Sequence, residues 1–415
     1  KFLSLVLALV MTMSLVTVSA GAKDFTDNSK INYKEAVDVM SAVKVIDGYA
    51  EGDFRPSATL TRGAAAKIIC NLILGPTTAS ALVADAAPYK DVPTNHTFAG
   101  YIAYCQKEKI ISGYADGTFR PAASLTGYAF MKMLLGALGY DAEVEQYTGA
   151  NWSINVAKRA LNIGLDDDLV GEFNGVKAVT REEACLYALN TLTADMVEYD
   201  AKTTVSTNGT TVVIAGSKAK EMVNNGNTDG KVFDKDGVMQ FAEKYFDNLS
   251  VKTGSDDFAR PANVWKLKAE EIGTYTNAAD ATYTAEVKAS TIYKDLGLGS
   301  NIAAKDVSVY EDGESQTASA IVKGDDDTKF GANGVLTEVF YDDDADTVTI
   351  TKVNTYIGSI NKTVKATDKK DAYVVVTAEG PVPVQGFDNE FETDDKFADD
   401  DYVLYTYSLT AKEIK

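Results

Sequence analysis

The chain has 415 residues, with 40 Lys+Arg against 60 Asp+Glu, a formal net charge of −20. That length suits two or three domains, and an apolar content of 45% is too high for a disordered chain. The acidic balance argues against binding nucleic-acid backbone. A single histidine, His96, excludes most Ser-His-Asp or Cys-His chemistry and any His-rich zinc site.

Lys1 is followed by an apolar run from Phe2 to Val18, broken only by Ser4, Thr12, Ser14 and Thr17. Val18-Ser19-Ala20 and Ala20-Gly21-Ala22 are small-residue cleavage patterns. A secretory signal peptide is expected over 1–22 rather than a membrane anchor, because the run is short and lacks a basic stop-transfer flank. The mature chain is expected to begin at Gly21 or Lys23.

A repeat follows. Gly48-Tyr49-Ala50-Glu51-Gly52-Asp53-Phe54-Arg55-Pro56 recurs without a gap as Gly113-Tyr114-Ala115-Asp116-Gly117-Thr118-Phe119-Arg120-Pro121. Upstream, Asp27 answers Asp91. A worn third copy carries Trp152, Gly164, Phe173 and Thr180-Arg181-Glu182-Glu183. Apolar steps of three and four predict a helix before each loop, from Tyr33 to about Val43, Phe98 to about Lys109 and Ile154 to about Asn162. Thr61, Thr126 and Thr180 stand at N-cap positions before second helices over Ala64–Leu74, Ala129–Leu138 and Glu183–Leu192. Thr180 and Glu183 form a capping box. One such pair cannot bury its apolar face alone, so three should pack as one domain.

The three cysteines, Cys70, Cys105 and Cys185, lie in apolar helical patterns and read as buried thiols. Their odd count and spacing argue against a disulfide framework or a metal site.

This pattern resembles the S-layer homology (SLH) family: an Asp near the start, a helix, Gly-Tyr-x-Asp-Gly-x-Phe-x-Pro, then a Thr-Arg-x-Glu helix start, in threes. The resemblance covers about 25–195. It divides this part into 23–86, 87–140 and a degenerate third repeat at 141–198. It implies an all-α three-repeat domain with pseudo-threefold symmetry that grips cell-wall polysaccharide, in many members an anionic, pyruvylated one. The family's motif Arg is present as Arg62 and Arg181, whereas the second copy has Thr126-Gly127-Tyr128 and no such Arg. The motif Glu is Ala64 and Ala129 in the first two copies and Glu183 in the third. Fewer than three working grooves are therefore expected.

Arg62 and Arg181 can each present a planar fork to a carboxylate, or can be surface cations in a first helical turn. Tyr49, Tyr114 and Trp152 can stack on sugar rings; for the tyrosines, covering the loop is an equal alternative. Asp27 and Asp91 brace the first helix or touch ligand. Arg55 and Arg120 shape the loop, and His96 is a loop hydrogen-bonder.

Composition shifts near Asp195–Asp200. Residues 1–195 hold 17 basic and 21 acidic residues, whereas 196–415 hold 23 and 39, so the acid is concentrated in the second part. Residues 199–415 read as β-rich, mainly antiparallel modules, as one body or split near 300. Asn208-Gly209 and Asp312-Gly313 mark hairpins. Further strands are expected over Thr282–Val287, Val335–Tyr341, Thr347–Val353, Ala372–Thr377 and Tyr402–Leu409. Helices are confined to Ser217–Asn224, Val238–Phe246 and Ile292–Leu296. Asn225 to Asp236 partly matches a calcium loop, but a polar turn is the better reading. Asp325–Asp327, Asp342–Asp344 and Asp399–Asp401 read as solvated tips.

The expectation is a non-catalytic cell-envelope protein, anchored by SLH repeats to an anionic wall polysaccharide and displaying a β-rich, S-layer-like or adhesive body. Self-association in a surface layer is left open. No cofactor is expected, with loose calcium binding by acidic loops as the alternative. The rival class is a wall-anchored glycan-active enzyme whose catalytic part lies in or beyond 199–415.

Overall fold

A computed structural model describes residues 24–200, 203–207, 210–214, 218–224, 237–298, 307–317, 328–367, 370–393 and 395–415. The expected signal segment, the Asn208-Gly209 turn, the calcium-loop match over 225–236 and the acidic run at 325–327 lie outside them. The chain divides into a helical unit, which ends at Lys252 and takes in Trp265–Gly273, and a strand-rich unit of Thr253–Val264 and Thr274–Lys415.

Six helices organise the first unit: α1 (Lys34–Ala42), α2 (Arg62–Ser80), α3 (Ala99–Lys107), α4 (Gly127–Ala137), α5 (Trp152–Asn162) and α6 (Arg181–Thr193). Two of these starts, those of α2 and α6, are fixed by side-chain caps. The Thr61 and Thr180 hydroxyls accept the N–H groups of Ala64 and Glu183, and Glu183 returns a bond to Thr180, completing the box. Helix α2 runs past the expected Leu74 because a second helical stretch begins at Pro76, across a kink at Gly75.

A closed circuit of backbone hydrogen bonds joins the three pairs. Leu60 N–H donates to Val179 (2.8 Å), Val179 N–H to Leu125 (2.9 Å), and Leu125 N–H to Leu60 (2.9 Å). The next layer repeats the scheme: Arg62 N–H to Ala123, Gly127 N–H to Lys177, and Arg181 N–H to Ala58. Residues that cannot pair within their own helix turn thus pair around a ring. The loops before these segments share a left-handed glycine, with φ of 88° at Gly52, 82° at Gly117 and 88° at Gly171. Gly171 stands in the loop before the third of these segments. Phe54, Phe119, Leu60 and Leu125 are buried in the core.

The composition shift marks a change of secondary structure, while the helical unit continues beyond it. Strands β1 (Val197–Glu198) and β4 (Lys220–Glu221) pair antiparallel, and Met222 N–H donates to Met196. This corrects the helix expected at 217–224, whose backbone groups from Lys220 are spent on strand and bridge partners. The hairpin β2 (Thr203–Thr207) and β3 (Thr210–Ile214) pairs in the expected register, Thr207 opposite Thr210. Helix α7 (Phe241–Tyr245) is shorter than expected and is capped by Gln240 and Glu243. Strands β5 (Leu249–Ser255), β6 (Pro261–Leu267) and β7 (Glu270–Thr276) form a three-stranded sheet. From β6, Trp265 is 1% exposed and donates its Nε1–H to Glu35 of α1 at 2.5 Å, a bond within the helical unit.

The strand-rich unit holds β8 (Ala281–Tyr283), β9 (Val287–Lys288), α8 (Ala289–Asp295), β10 (Val307–Glu311), β11 (Glu314–Gln316), β12 (Lys329–Phe330), β13 (Val335–Asp342) and β14 (Thr347–Asn354). Five of these strands form a sheet in the order β11-β10-β14-β13-β8, antiparallel except for the parallel β10–β14 pair. Ile292 and Tyr293 of α8 pack on its apolar face with Val309, Val339 and Ile350. A second sheet, β17-β16-β15-β18, is built from β15 (Tyr356–Val364), β16 (Tyr373–Ala378), β17 (Glu390–Glu392) and β18 (Tyr402–Tyr405). The chain closes with β19 (Tyr407–Ser408) and β20 (Glu413–Ile414).

The Asp312-Gly313 turn is present, with φ of 49° and 90°, but it is not a free tip. The Asp312 carboxylate accepts Asn354 N–H (2.7 Å), Asn354 Nδ2 (2.9 Å) and Tyr356 O–H (2.7 Å). Asp342–Asp344 are exposed at the β13–β14 turn, as expected of a solvated tip.

Candidate functional site

The backbone circuit brings the start of each second helix against the Gly-rich loop of another pair. At two of the three junctions an arginine spans the gap. Arg62 donates Nε–H to the carbonyl of Phe119 (2.8 Å) and Nη2–H to that of Ser112 (3.1 Å). Arg181 does the same with Phe54 (2.9 Å) and Asp47 (2.8 Å). Each guanidinium also lies over the loop's aromatic rings, Arg62 4.3 Å from the Phe119 centroid and Arg181 4.7 Å from that of Phe54. The fork is thus half committed to carbonyls. These are neutral acceptors, so they do not cancel the positive charge.

At the third junction Gly127 stands in the arginine's place. A Cβ there would come within 3.0 Å of the Gly175 backbone. The Tyr128 ring covers Gly175 and meets Trp152 and Phe173 edge-on, at 6.4 and 5.9 Å between centroids. Aromatic packing replaces the cation.

A cleft of about 390 Å³ opens beside Arg62. Its lining includes Tyr114, Thr126, Lys132 and Trp152, and it contains no carboxylate. The Lys132 ammonium lies 5.7 Å from the Trp152 ring, and burial pulls its pKa below the ordinary value. The Thr126 side chain makes no cap bond to its own helix. Two partly desolvated cations, an indole face and a hydroxyl therefore line one concave surface. An anion entering it would relieve the desolvation cost of both cations.

Lys132 escaped the sequence reading. Its signal is a lone cation inside the apolar run Phe130-Met131-Lys132-Met133-Leu134-Leu135. The other sequence candidates fall as follows. Asp27 accepts the N–H groups of Phe54 (2.7 Å) and Arg55 (2.8 Å), and Asp91 those of Phe119 (2.8 Å) and Arg120 (2.7 Å). They brace the loops rather than the helices. Burial pushes these carboxyls up, but the loop N–H groups outweigh it and hold both below the ordinary value. Tyr49 is 40% and Tyr114 42% exposed. Each lies between two guanidiniums, Tyr49 near Arg55 (3.9 Å) and Arg181 (4.7 Å), Tyr114 near Arg120 (4.0 Å) and Arg62 (5.2 Å). Arg55 and Arg120 adopt positive φ before their prolines and pair with Asp53 and Asp116 of their own loops. His96 Nδ1 accepts Phe98 N–H at 3.1 Å, a loop bond. Among the described residues, no cluster of His, Cys, Asp and Glu could hold a metal ion.

The S-layer homology domain model matches residues 24–66 and 88–127, which hold Asp27, Tyr49, Arg62, Asp91 and Tyr114. The chain carries S-layer homology domains. It is similar to a surface layer protein of Brevibacillus choshinensis, 28% identical over 146 residues, which are 35% of this chain and 13% of that one. It is also similar to the middle cell wall protein of Brevibacillus brevis strain 47, 24% identical over 193 residues, 46% of this chain and 18% of the other. A cellulosome-anchoring protein of Acetivibrio thermocellus is 34% identical over 103 residues, 25% of this chain and 23% of its own. The chain thus matches less than a quarter of the length of each of these relatives. With the SLH matches, they place it among exported cell-surface proteins. Among the described residues, no helix is long and apolar enough to cross a membrane.

Proposed function

We propose that this SLH protein is a non-catalytic anchor that grips an anionic cell-wall polysaccharide, and that the Arg62 cleft is its principal grip. The observation that carries the reading is local charge. In a chain of net charge −20, this cleft is lined by two cations and no carboxylate. The overall negative charge would repel an acidic glycan, so recognition must be local. Arg62 and Lys132 would share a carboxylate such as that of a pyruvate ketal, while Trp152 and Tyr114 would carry the sugar face.

Residues 141–198 are, on this reading, a divergent third SLH repeat. The backbone circuit, Gly171 and the Arg181 clamp support it. Arg181 would provide a second, weaker grip near Tyr49, and the Gly127 junction none. The strand-rich unit would be the displayed body, surface-layer-like or adhesive.

The test is sedimentation of the full chain with purified walls, before and after chemical removal of the secondary polymer. Binding is expected only to the intact walls. Equal binding to stripped walls would sink the polysaccharide reading. Release of sugars or peptides from the walls during incubation would replace the anchor with an enzyme.

A further inference from the structure

Two of the three cysteines, far apart in sequence, meet in the core of the helical unit. Cys70 of α2 and Cys105 of α3 are each 0% exposed, and their sulfurs lie 3.6 Å apart across a sequence separation of 35. Cys70 Sγ is 3.6 Å from the carbonyl of Tyr101, and Cys105 Sγ 3.6 Å from that of Ala66, so each thiol faces the other's helix. Cys185 is also 0% exposed, on α6. All three are free thiols in this structure.

We propose that Cys70 and Cys105 become a disulfide in the exported protein, covalently tying the second helix of the first pair to the first helix of the second. Outside the cell a juxtaposed dithiol is not protected by cytosolic reductants. A disulfide holds its sulfurs about 2.05 Å apart, so forming it requires them to close by roughly 1.5 Å. Neither sulfur is exposed, and the Cys105 thiol is pushed well up by its bond with Cys70 and by burial. The bond therefore forms before the helices close, or during a local opening. The oxidant is an exchangeable disulfide, RSSR, of a thiol oxidoreductase or a small thiol. The thiolate of one cysteine attacks RSSR and releases one RS⁻, leaving a mixed disulfide. The second thiolate attacks the protein sulfur of that mixed disulfide and releases the second RS⁻. Two thiol protons and two electrons pass to RSSR, giving one protein disulfide and two RSH.

The full chain would be isolated from the outside of an exporting cell, quenched with N-ethylmaleimide in denaturant, and mapped by mass spectrometry without reduction. The expected result is labelling of Cys185 only, with the peptides of Cys70 and Cys105 joined and lighter by two hydrogens. Cys70→Ser should expose Cys105 to the label, and the converse. In a melting experiment, a reductant strong enough to open the bond should lower the melting temperature of the wild type by about 5–15 °C and leave the double Ser variant unmoved. Labelling of all three cysteines, even after refolding with excess oxidised glutathione, would overturn the proposal. So would a bond from either residue to Cys185. If the Ser variants fold poorly, the peptide map of the wild type decides alone.

Discussion

The Arg62 and Gly127 junctions share one backbone scheme and differ in what fills it. Both helix starts give their N–H groups to a neighbouring loop, Arg62 to Ala123 and Gly127 to Lys177. At the first, a guanidinium then clamps two loop carbonyls and leaves its charge facing a cleft. At the second, the Tyr128 ring closes over Gly175 and packs on Phe173. The same joint is cemented once by a cation and once by aromatic area. Only the cation leaves chemistry available for a ligand. On the proposed reading an arginine here does two tasks, and any substitution must separate them.

The largest effect should come from removing both clamps. Arg62→Ala with Arg181→Ala loses four charge-assisted bonds, each contributing a net of about 1.5–3 kcal/mol where it is part-buried and less at the two exposed ones. The melting temperature of the helical unit should fall by about 10 °C or more. Wall binding, measured well below that temperature with the helical signal intact, should also be lost. Unchanged melting would show that the carbonyl clamp contributes little.

Lys132→Gln isolates the ligand task, because Lys132 lines the cleft and clamps no loop. Wall affinity should fall roughly ten- to a hundredfold, equivalent to about 1.5–3 kcal/mol, with melting nearly unchanged. A binding loss that merely tracks a stability loss would remove Lys132 from the site.

Introducing an arginine at the Gly127 junction should fail to add a grip. In Gly127→Arg the Cβ alone would meet the Gly175 backbone at 3.0 Å and the Phe173 ring at 3.2 Å. Overpacking should cost about 1–3 kcal/mol in thermal unfolding, without a gain in sedimentation with walls. A gain in binding would mean that the aromatic cluster moves aside.

The smallest effect is the pH response of the loop braces. Asp27 and Asp91 have folded-state pKa values held below the unfolded one. Their contribution is therefore fully present above the unfolded carboxylate value, about pH 4, and is lost as the pH falls through the folded value. Melting of the wild type should decline from about pH 4 towards pH 2. The decline should be shallower in the variant carrying Asp27→Asn and Asp91→Asn, which already lacks the carboxylate acceptors. Parallel curves would show that other acids dominate.

Much of the helical unit was legible in the residues. Helix periodicity, threonine caps, the Thr180–Glu183 box and the repeated loop are local signals, because each depends on atoms a few residues apart. The strand-rich unit was legible where turns carry a signature, as at Asp312-Gly313. It was not legible at β15, whose Tyr356-Ile-Gly-Ser-Ile-Asn-Lys-Thr-Val364 is too polar to announce a strand and is stabilised by β16 and β18 on either side. The helix expected over 217–224 failed for the same reason, since its partner strand lies more than twenty residues upstream.

By itself the sequence determined the repeat, its helices, the arginines at two helix starts and the absence of one at the third. Only the tertiary structure decided what those arginines touch. Residues 57 and 127 positions apart met through the backbone circuit, turning Arg62 and Arg181 into clamps as well as charges. It also brought Lys132 beside Trp152, and Cys70 against Cys105. The reason is physical: capping and periodicity are short-range and written in neighbouring residues, whereas a cleft is made of side chains whose proximity exists only after the helices pack.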